Sequence, residues 1–590
     1  MFKSSFARCI RRLASRRSYS NGYGSSRFQM SHGVKGKIES SIKYGLAGGI
    51  GYAIAETVNE EYAKSAKTAK PATQGGEGKS TLKLEECTSP TYCSNQKLPQ
   101  VIEQLKKVVG NNPDNFSDGK ADLDSHSDTY FNTHHAKPDE RPRIIFFPRS
   151  TEEVSKLVKI CHDNDVPVVP FSGGTSLEGH FLPTRKSATV MIDFSKYMNK
   201  ILKLDKTDLD VQVQAGVPWE DLNDMLNEHN LLFGCDPGPG AELGGCVANS
   251  CSGTKAYRYG TMKENVVNLT VVLADGTIIK TRRRPRKSSA GYNLNGLFTG
   301  NEGTLGIVTE ATVKCHVKPK FETVAVMSFP TVGDAAACSS TITQQGIQLN
   351  AMELLDDKMM HLVNSQGATT RTDWKEQPTL FLKIGGRNEN IIKELVQEVE
   401  GIARQHGSSN FEFAKDDDEK LMLWEARKYA LWSVIDAGKA RNKSANVWTT
   451  DVALPLSNFA KVIEETKEEM DKTPLLYATV GHAGDGNFHS FIIYNDDKEL
   501  KICERLVENM VRRAIEAEGT CTGEHGVGIG KRKYVLEELG PAPIDLMRRI
   551  KFAMDPHRIL NPDKIFQIDP LHDPECEVDD HSDRHPETTA

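Results

Sequence analysis

At 590 residues the chain is too long for one hydrophobic core and long enough for roughly two to four domains. Hydrophobic residues at 38% and charged ones at 26% exclude both a low-complexity disordered chain and a polytopic membrane protein. The net charge of −6 is uneven: residues 1–38 hold nine basic residues and no acidic one, leaving 65 of the 74 basic residues against 80 acidic ones. A body so acidic lacks the basic face that nucleic acid requires, so no nucleic-acid partner is expected.

In chain order, residues 1–38 are Arg-rich, Ser-rich and acid-free, with Phe2, Phe6, Ile10 and Leu13 among the cations. This is the composition of a mitochondrial presequence. Residues 39–98 read as a linker that contains the uncharged run Tyr44 to Ala55. Twelve residues at about 1.5 Å each fall short of a bilayer core of about 30 Å. The run is therefore a sorting signal or marginal inner-membrane anchor as much as part of the linker. The 12 cysteines form no CxxC pair and no disulfide framework.

From residue 99 strand-like and helix-like segments alternate, the pattern of an α+β or α/β body. Thr151 to Asp163 spaces Val154, Leu157, Val158 and Cys161 on one helical face, with Thr151 as N-cap. Val166 to Phe171 reads as a buried strand, and Asp275-Gly276 as the turn of a hairpin. The pattern restarts near residue 320, with strands expected at Thr323 to Phe329 and Leu380 to Ile384, and helices around Gly333 to Gln345 and Glu389 to Gln405. Segments are assigned as 99–320, 321–520 and a C-terminal stretch 521–568. An acidic tail follows, 569–590, with eight acidic residues and one arginine.

Three glycine-rich loops interrupt this pattern. The first strand runs into Ser172, Gly173, Gly174, Thr175 and Ser176, where backbone N–H groups and hydroxyls make an anion cradle. It follows neither the GxGxxG nor the P-loop spacing, and alone it is as well read as a turn. The second loop spans Cys235 to Gly260, and the third, Asn301 to Glu310, enters a strand. Together they allow a large planar ligand to lie against backbone. Further on, His482 and His489 bracket AGDGNF in a hairpin, where cross-strand Cβ atoms about 5 Å apart would suit two imidazoles on one metal. A helical stretch, Leu500 to Ala517, leads into GTCTGEHGVGIGK, in which Glu524 offers an oxygen ligand beside His525. Such a donor set suits Zn²⁺ or Mn²⁺, although two strand histidines that merely donate hydrogen bonds would read the same.

The motifs SGGTSLEG, DPG with LGGCVANSCSG and RYG, and NEGTLGIVTE, in this order, resemble the FAD-binding domain of the vanillyl-alcohol oxidase (PCMH-type) flavoproteins. The C-terminal motifs are similar to the branch that holds D-lactate and D-2-hydroxyglutarate dehydrogenases, and the likeness covers roughly residues 140 to 567. It implies an α+β fold: an FAD-binding domain of two α/β subdomains, a ferredoxin-like cap that binds substrate, and a C-terminal segment returning to the flavin. Ser172 to Ser176 then hold the FAD pyrophosphate, and Pro237, Gly238, Gly244, Gly245, Asn249, Ser252, Thr254, Gly260 and Ile307 line the rest. Relatives with covalently bound flavin carry His where Thr175 stands, so FAD is expected to be non-covalent.

The resemblance also implies metal ligands His482, His489 and Glu524, a base at His525, and Arg427 as the holder of a substrate carboxylate. Relatives acting on D-2-hydroxyglutarate carry threonine and lysine at positions that here hold Leu431 and Thr449. A second carboxylate would stay unpaired there, which favours D-lactate. The expected activity is oxidation of D-lactate with electrons passed to cytochrome c, in mitochondria, at the inner membrane facing the intermembrane space. D-2-hydroxyglutarate dehydrogenase, a metallohydrolase built on the His/Glu cluster, and a non-catalytic flavin-binding protein are the alternatives. An acidic body would steer a basic acceptor such as cytochrome c.

Overall fold

The computed structural model describes residues 78–129, 132–185 and 188–572. The expected presequence, the Tyr44 to Ala55 run and nearly all of the acidic tail lie outside these residues. No helix among the described residues is long and apolar enough to cross a membrane.

Strands β1 (Phe116–Ser117), β2 (Ile144–Phe146), β3 (Val168–Phe171) and β4 (Val190–Asp193) form a sheet ordered β1-β2-β4-β3. β2, β4 and β3 run parallel. The crossover between β2 and β3 is the helix Thr151–Asp163, which buries Val154, Leu157, Val158 and Cys161 as their spacing predicts. Its N-cap is Ser150, however, whose side chain accepts from Glu153 N. Thr151 is already helical, and its hydroxyl donates to Thr309 Oγ1 at 2.9 Å instead. β3 starts two residues later than expected because Val166 N still bonds back to Cys161 O at the helix end.

The next sheet joins β5 (Ile201–Asp205), β6 (Asp210–Gln214), β8 (Val266–Val272), β9 (Ile278–Lys280) and β10 (Ile307–Lys314) in the antiparallel order β5-β6-β10-β8-β9. The Asp275-Gly276 turn connects β8 and β9 as expected, and the short strands β7 (Leu231–Leu232) and β11 (His316–Val317) pair beside it.

The largest sheet contains β12 (Phe321–Ser328), β13 (Ala351–Leu355), β14 (Thr379–Gly386), β15 (Asn410–Phe413), β16 (Asn446–Thr449), β18 (Leu476–His482) and β19 (Asn487–Tyr494), with β17 (Val452–Ala453) paired to β19. Its order is β15-β12-β14-β13-β18-β19-β16. The first four strands, with helices Val332–Gln344 and Glu389–Gln405, make a β-α-β-β-α-β unit whose neighbours are all antiparallel, the ferredoxin-like arrangement. Alternation along β14 sends Leu380, Leu382 and Ile384 to one core and Phe381 to the other.

That alternation positions the site. Glu353 on β13, His482 on β18, and His489 and Phe491 on β19 fall on the face that also presents Ala478 and Val480. Helices Asp417–Lys428 and Ala430–Arg441 cover this face, burying Leu423, Ala426, Val434 and Ile435 against it. The C-terminal stretch returns to the first sheet: Val168 N donates to Ile559 O at 2.8 Å, and Asn561 N to Val168 O at 2.8 Å.

Candidate active site

One cavity of about 600 Å³ runs from the glycine loops to the large sheet, within the size range of sites that enclose an organic ligand. At one end it is lined by Ser172, Gly173, Gly174, Thr175 and Ser176, by Pro237, Gly238, Gly244, Gly245, Asn249 and Thr254, and by Ile307 at the start of β10. At the other end stand Arg427, His482, His489, Glu524 and His525, with Leu431 and Thr449.

Ser252 and Gly260 do not reach this wall. Gly260 ends the short helix Ala256–Tyr259 at φ 78°, and its carbonyl accepts from Asn265 Nδ2. Its glycine serves a helix end. His180, Trp219, Glu242 and Asn561 also line the cavity, and none of them was expected from the sequence.

The cradle fits a dinucleotide-sized ligand by its own geometry. A Cβ at Gly173 would lie 2.2 Å from Gly240 O, so only glycine fits between the first two loops. Gly174 turns at φ 63°, and the N–H groups of Gly173 to Ser176 have no acceptor among the described residues. Several buried atoms along the wall also lack a protein partner: both ring nitrogens of His180, Glu242 Oε2 and Asn561 Oδ1. Burial, with Asp193 nearby, pushes the Glu242 carboxyl up to about 8. A neutral acid there can donate to an anionic ligand without repelling it.

The second end is built around a hairpin. His482 closes β18 and pairs with Asn487, whereas His489 pairs with Val480. The two histidines are thus diagonal neighbours on one face and not directly opposite, because the turn residues Ala483 to Gly486 set the register two residues short of that pairing. Their rings are nevertheless 5.4 Å apart. Glu524 Oε1 lies 3.2 Å from His482 Nε2 and 3.1 Å from His489 Nε2. Candidate ligand atoms of all three residues lie within 4.8 Å of one another.

The ring tautomers follow from the partners on the far side. His482 Nδ1 is 2.8 Å from Glu353 Oε1 and His489 Nδ1 is 2.9 Å from Thr450 O. Both acceptors require N–H on Nδ1, which leaves each Nε2 lone pair facing Glu524. Three acceptors converge with no donor between them, and this fits a cation. The titration preferences agree. Burial alone would lower the His482 pKa, yet Glu353 and Glu524 hold it well above the ordinary value. Burial would raise Glu524, yet His482 and His489 hold it well below.

His525 stacks on His489 at 4.9 Å with 15° between the ring planes, and its Nδ1 has no protein partner. Burial pushes its pKa down to about 4, so the imidazole is neutral and able to accept a proton at neutral pH.

Two buried carboxylates that sequence reading missed organise these groups. Glu353 Oε2 accepts from Arg427 Nε at 2.7 Å while its other oxygen holds His482. Asp451 Oδ2 accepts from the backbone of Gly523 at 2.8 Å, Glu524 at 3.0 Å and His525 at 3.0 Å, and from Thr522 Oγ1 at 2.7 Å. Burial opposes ionisation of Asp451, but Lys531 and the neighbouring imidazoles hold its pKa well below the carboxylate range. The available signal was a lone acid in each apolar or Thr-rich strand segment, AMELL and WTTDV.

Fold and cavity together define a flavoprotein oxidoreductase of the FAD-linked oxidase class. Residues 142–282 match the FAD binding domain family, and residues 318–565 match the family of FAD linked oxidases, C-terminal domain. The D-lactate dehydrogenase (cytochrome) 1, mitochondrial, of Saccharomyces cerevisiae is 68% identical over 83% of this chain and 84% of its own. The D-lactate dehydrogenase (cytochrome), mitochondrial, of Arabidopsis thaliana is 42% identical over 79% of this chain and 80% of its own. Among solved structures, 4-ethylphenol oxidase from Gulosibacter chungangensis shares the fold, with a TM-score of 0.67 at 19% identity over 82% of this chain and 99% of its own. The chain belongs to the D-lactate dehydrogenase (cytochrome) family of FAD-binding oxidoreductases.

Proposed function

We propose that the protein oxidises D-lactate to pyruvate with non-covalent FAD and a divalent metal, Zn²⁺ or Mn²⁺, and passes the electrons to cytochrome c. The observation that carries this reading is the convergence of three metal-type acceptors, a neutral imidazole and an arginine at one end of a cavity whose other end is the glycine cradle. The names of the close relatives support the substrate, the acceptor and a mitochondrial location. An inner-membrane position facing the intermembrane space is part of the same proposal.

Bound FAD supplies the acceptor for a hydride, and a divalent ion held by His482, His489 and Glu524 lowers the pKa of a hydroxyl coordinated to it. The chain's own residues do the rest. Arg427 meets the substrate carboxylate with its terminal nitrogens, since Glu353 takes its Nε. His525 accepts the hydroxyl proton as the α-hydrogen departs. Leu431, Ile435, Val480 and Phe491 line this end of the cavity and keep water from the reacting carbon.

Leu431 and Thr449 offer no partner to a second carboxylate, and leaving one desolvated and unpaired costs several kcal/mol, or about a hundredfold or more in kcat/KM. Lys428 also reaches the wall, so the comparison is a direct test of how it is used. Steady-state turnover with cytochrome c is expected to favour D-lactate over D-2-hydroxyglutarate by that factor and to slow as salt rises. Equal kcat/KM for the two acids would refute the substrate assignment.

A further inference from the structure

Glu353 occupies the middle of β13, directly opposite His482 in the ladder between β13 and β18, and has no solvent exposure. A carboxylate in such a position is costly unless both oxygens are satisfied. Here each oxygen serves a different part of the site: Oε1 takes the proton of His482 Nδ1 at 2.8 Å, and Oε2 takes that of Arg427 Nε at 2.7 Å. His482 and Arg427 come from different elements, the end of β18 and the last turn of the helix Asp417–Lys428.

We propose that Glu353 is a positioning residue that couples the metal centre to the carboxylate-binding arginine. This rests on the reading of His482, His489 and Glu524 as metal ligands and of Arg427 as the substrate clamp. In a 2-hydroxy acid the hydroxyl and the carboxylate sit on adjacent carbons, so the groups that hold them need a fixed spacing. One planar carboxylate bonded to both sets that spacing with few free torsions. On the metal side it fixes the His482 tautomer, turns Nε2 toward the centre and makes the imidazole a stronger ligand. On the substrate side it orients the guanidinium so that the terminal nitrogens face the cavity.

The chemistry of substitution is specific. Both partners are donors, so a glutamine can satisfy one through its oxygen but turns its NH₂ against the other. Aspartate is one methylene shorter and reaches at most one of them.

The test uses the full chain loaded with FAD, with Zn²⁺ affinity measured by chelator competition alongside kcat and KM for D-lactate. Glu353→Gln is expected to weaken Zn²⁺ binding about 10- to 100-fold and to raise KM for D-lactate, with flavin content unchanged. Arg427→Ala, at a residue that touches no proposed metal ligand, is expected to shift Zn²⁺ affinity through Glu353, and its effect should not add to that of Glu353→Gln. Parent-like Zn²⁺ affinity and KM in Glu353→Gln would overturn the proposal. So would parent-like Zn²⁺ affinity in Arg427→Ala, a variant that leaves the buried carboxylate in place and so stays informative if Glu353→Gln fails to fold. Failure of the underlying reading shows instead in the parent, as absence of Zn²⁺ or Mn²⁺ binding.

Discussion

Replacing Asp451 with asparagine tests how the loop that carries Glu524 and His525 is held. The Asp451 side chain is fully buried, and one of its oxygens receives three successive backbone N–H groups and the Thr522 hydroxyl. The other receives Asn487 Nδ2 at 2.8 Å, and Lys531 Nζ stands 3.5 Å from the carboxylate. Asparagine keeps one oxygen, so its NH₂ opposes either the loop amides or Asn487 Nδ2. Asn487 cannot escape by flipping, because its NH₂ also bonds Val452 O at 2.8 Å. Lys531 loses one of its two carboxylate partners and retains Glu178 at 3.5 Å. Breaking a buried charged pair costs about 3–5 kcal/mol. If about 3 kcal/mol of this falls on the loop, its ordered population drops by about two decades. The assay is single-turnover reduction of the bound flavin by D-lactate, with flavin content checked by absorbance. A fall of that order with flavin retained is expected. Reduction at the parent's rate would refute the claim that Asp451 positions the loop.

Chelation of the divalent ion should abolish D-lactate oxidation while the oxidised-flavin absorbance persists, and added Zn²⁺ or Mn²⁺ should restore turnover; unaffected turnover would argue against a metal role. Acid precipitation should leave a yellow supernatant, because Thr175 offers no attachment point; flavin retained on the pellet would contradict non-covalent binding. Glu178 supplies a pH test. Burial opposes its ionisation, yet Lys531 and His134 hold its pKa at about 2 against an ordinary 4.5. A depressed carboxylate stabilises the fold above its unfolded pKa and ceases to do so as pH falls through the folded one. Glu178→Gln should therefore cost about 3 kcal/mol at neutral pH, and the deficit should more than halve by about pH 3, as urea denaturation of both proteins would show. A deficit independent of pH would mean the loss is one of packing.

What the sequence disclosed depended on how local each feature is. The glycine cradle was legible because the backbone freedom it needs is written in five consecutive residues, Ser172 to Ser176. The histidine pair was legible because one hairpin carries both, although a four-residue turn makes them diagonal and not opposite. The ferredoxin-like unit followed from the restart of strand and helix patterns after residue 320. Gly260 marks the limit: a glycine that ends a helix and one that admits a ligand look alike in sequence, and only the left-handed turn against Glu264 separates them. Glu353 and Asp451 were illegible because their partners lie far along the chain. Glu353 meets His482 129 residues away, and Asp451 meets His525 74 residues away. Knowing that β13 pairs with β18 comes before knowing what Glu353 touches.

The same long-range contacts divide labour in the site. The loop from Thr522 to Gly528 is gripped from two sides by carboxylates that bond its backbone. Asp451 holds Gly523, Glu524 and His525, while Glu302, from the third glycine loop, holds Val527 N at 2.7 Å and Gly528 N at 2.8 Å. Because the backbone is held this way, the side chains of Glu524 and His525 need not anchor the loop, and both remain directed into the cavity. The two grips come from different sheets, Glu302 from beside β10 and Asp451 from between β16 and β17. The base and the third metal-type ligand are therefore placed correctly only when the flavin-side and cap-side halves of the cavity are both in register, which ties the geometry of proton removal to the geometry of the cofactor cradle.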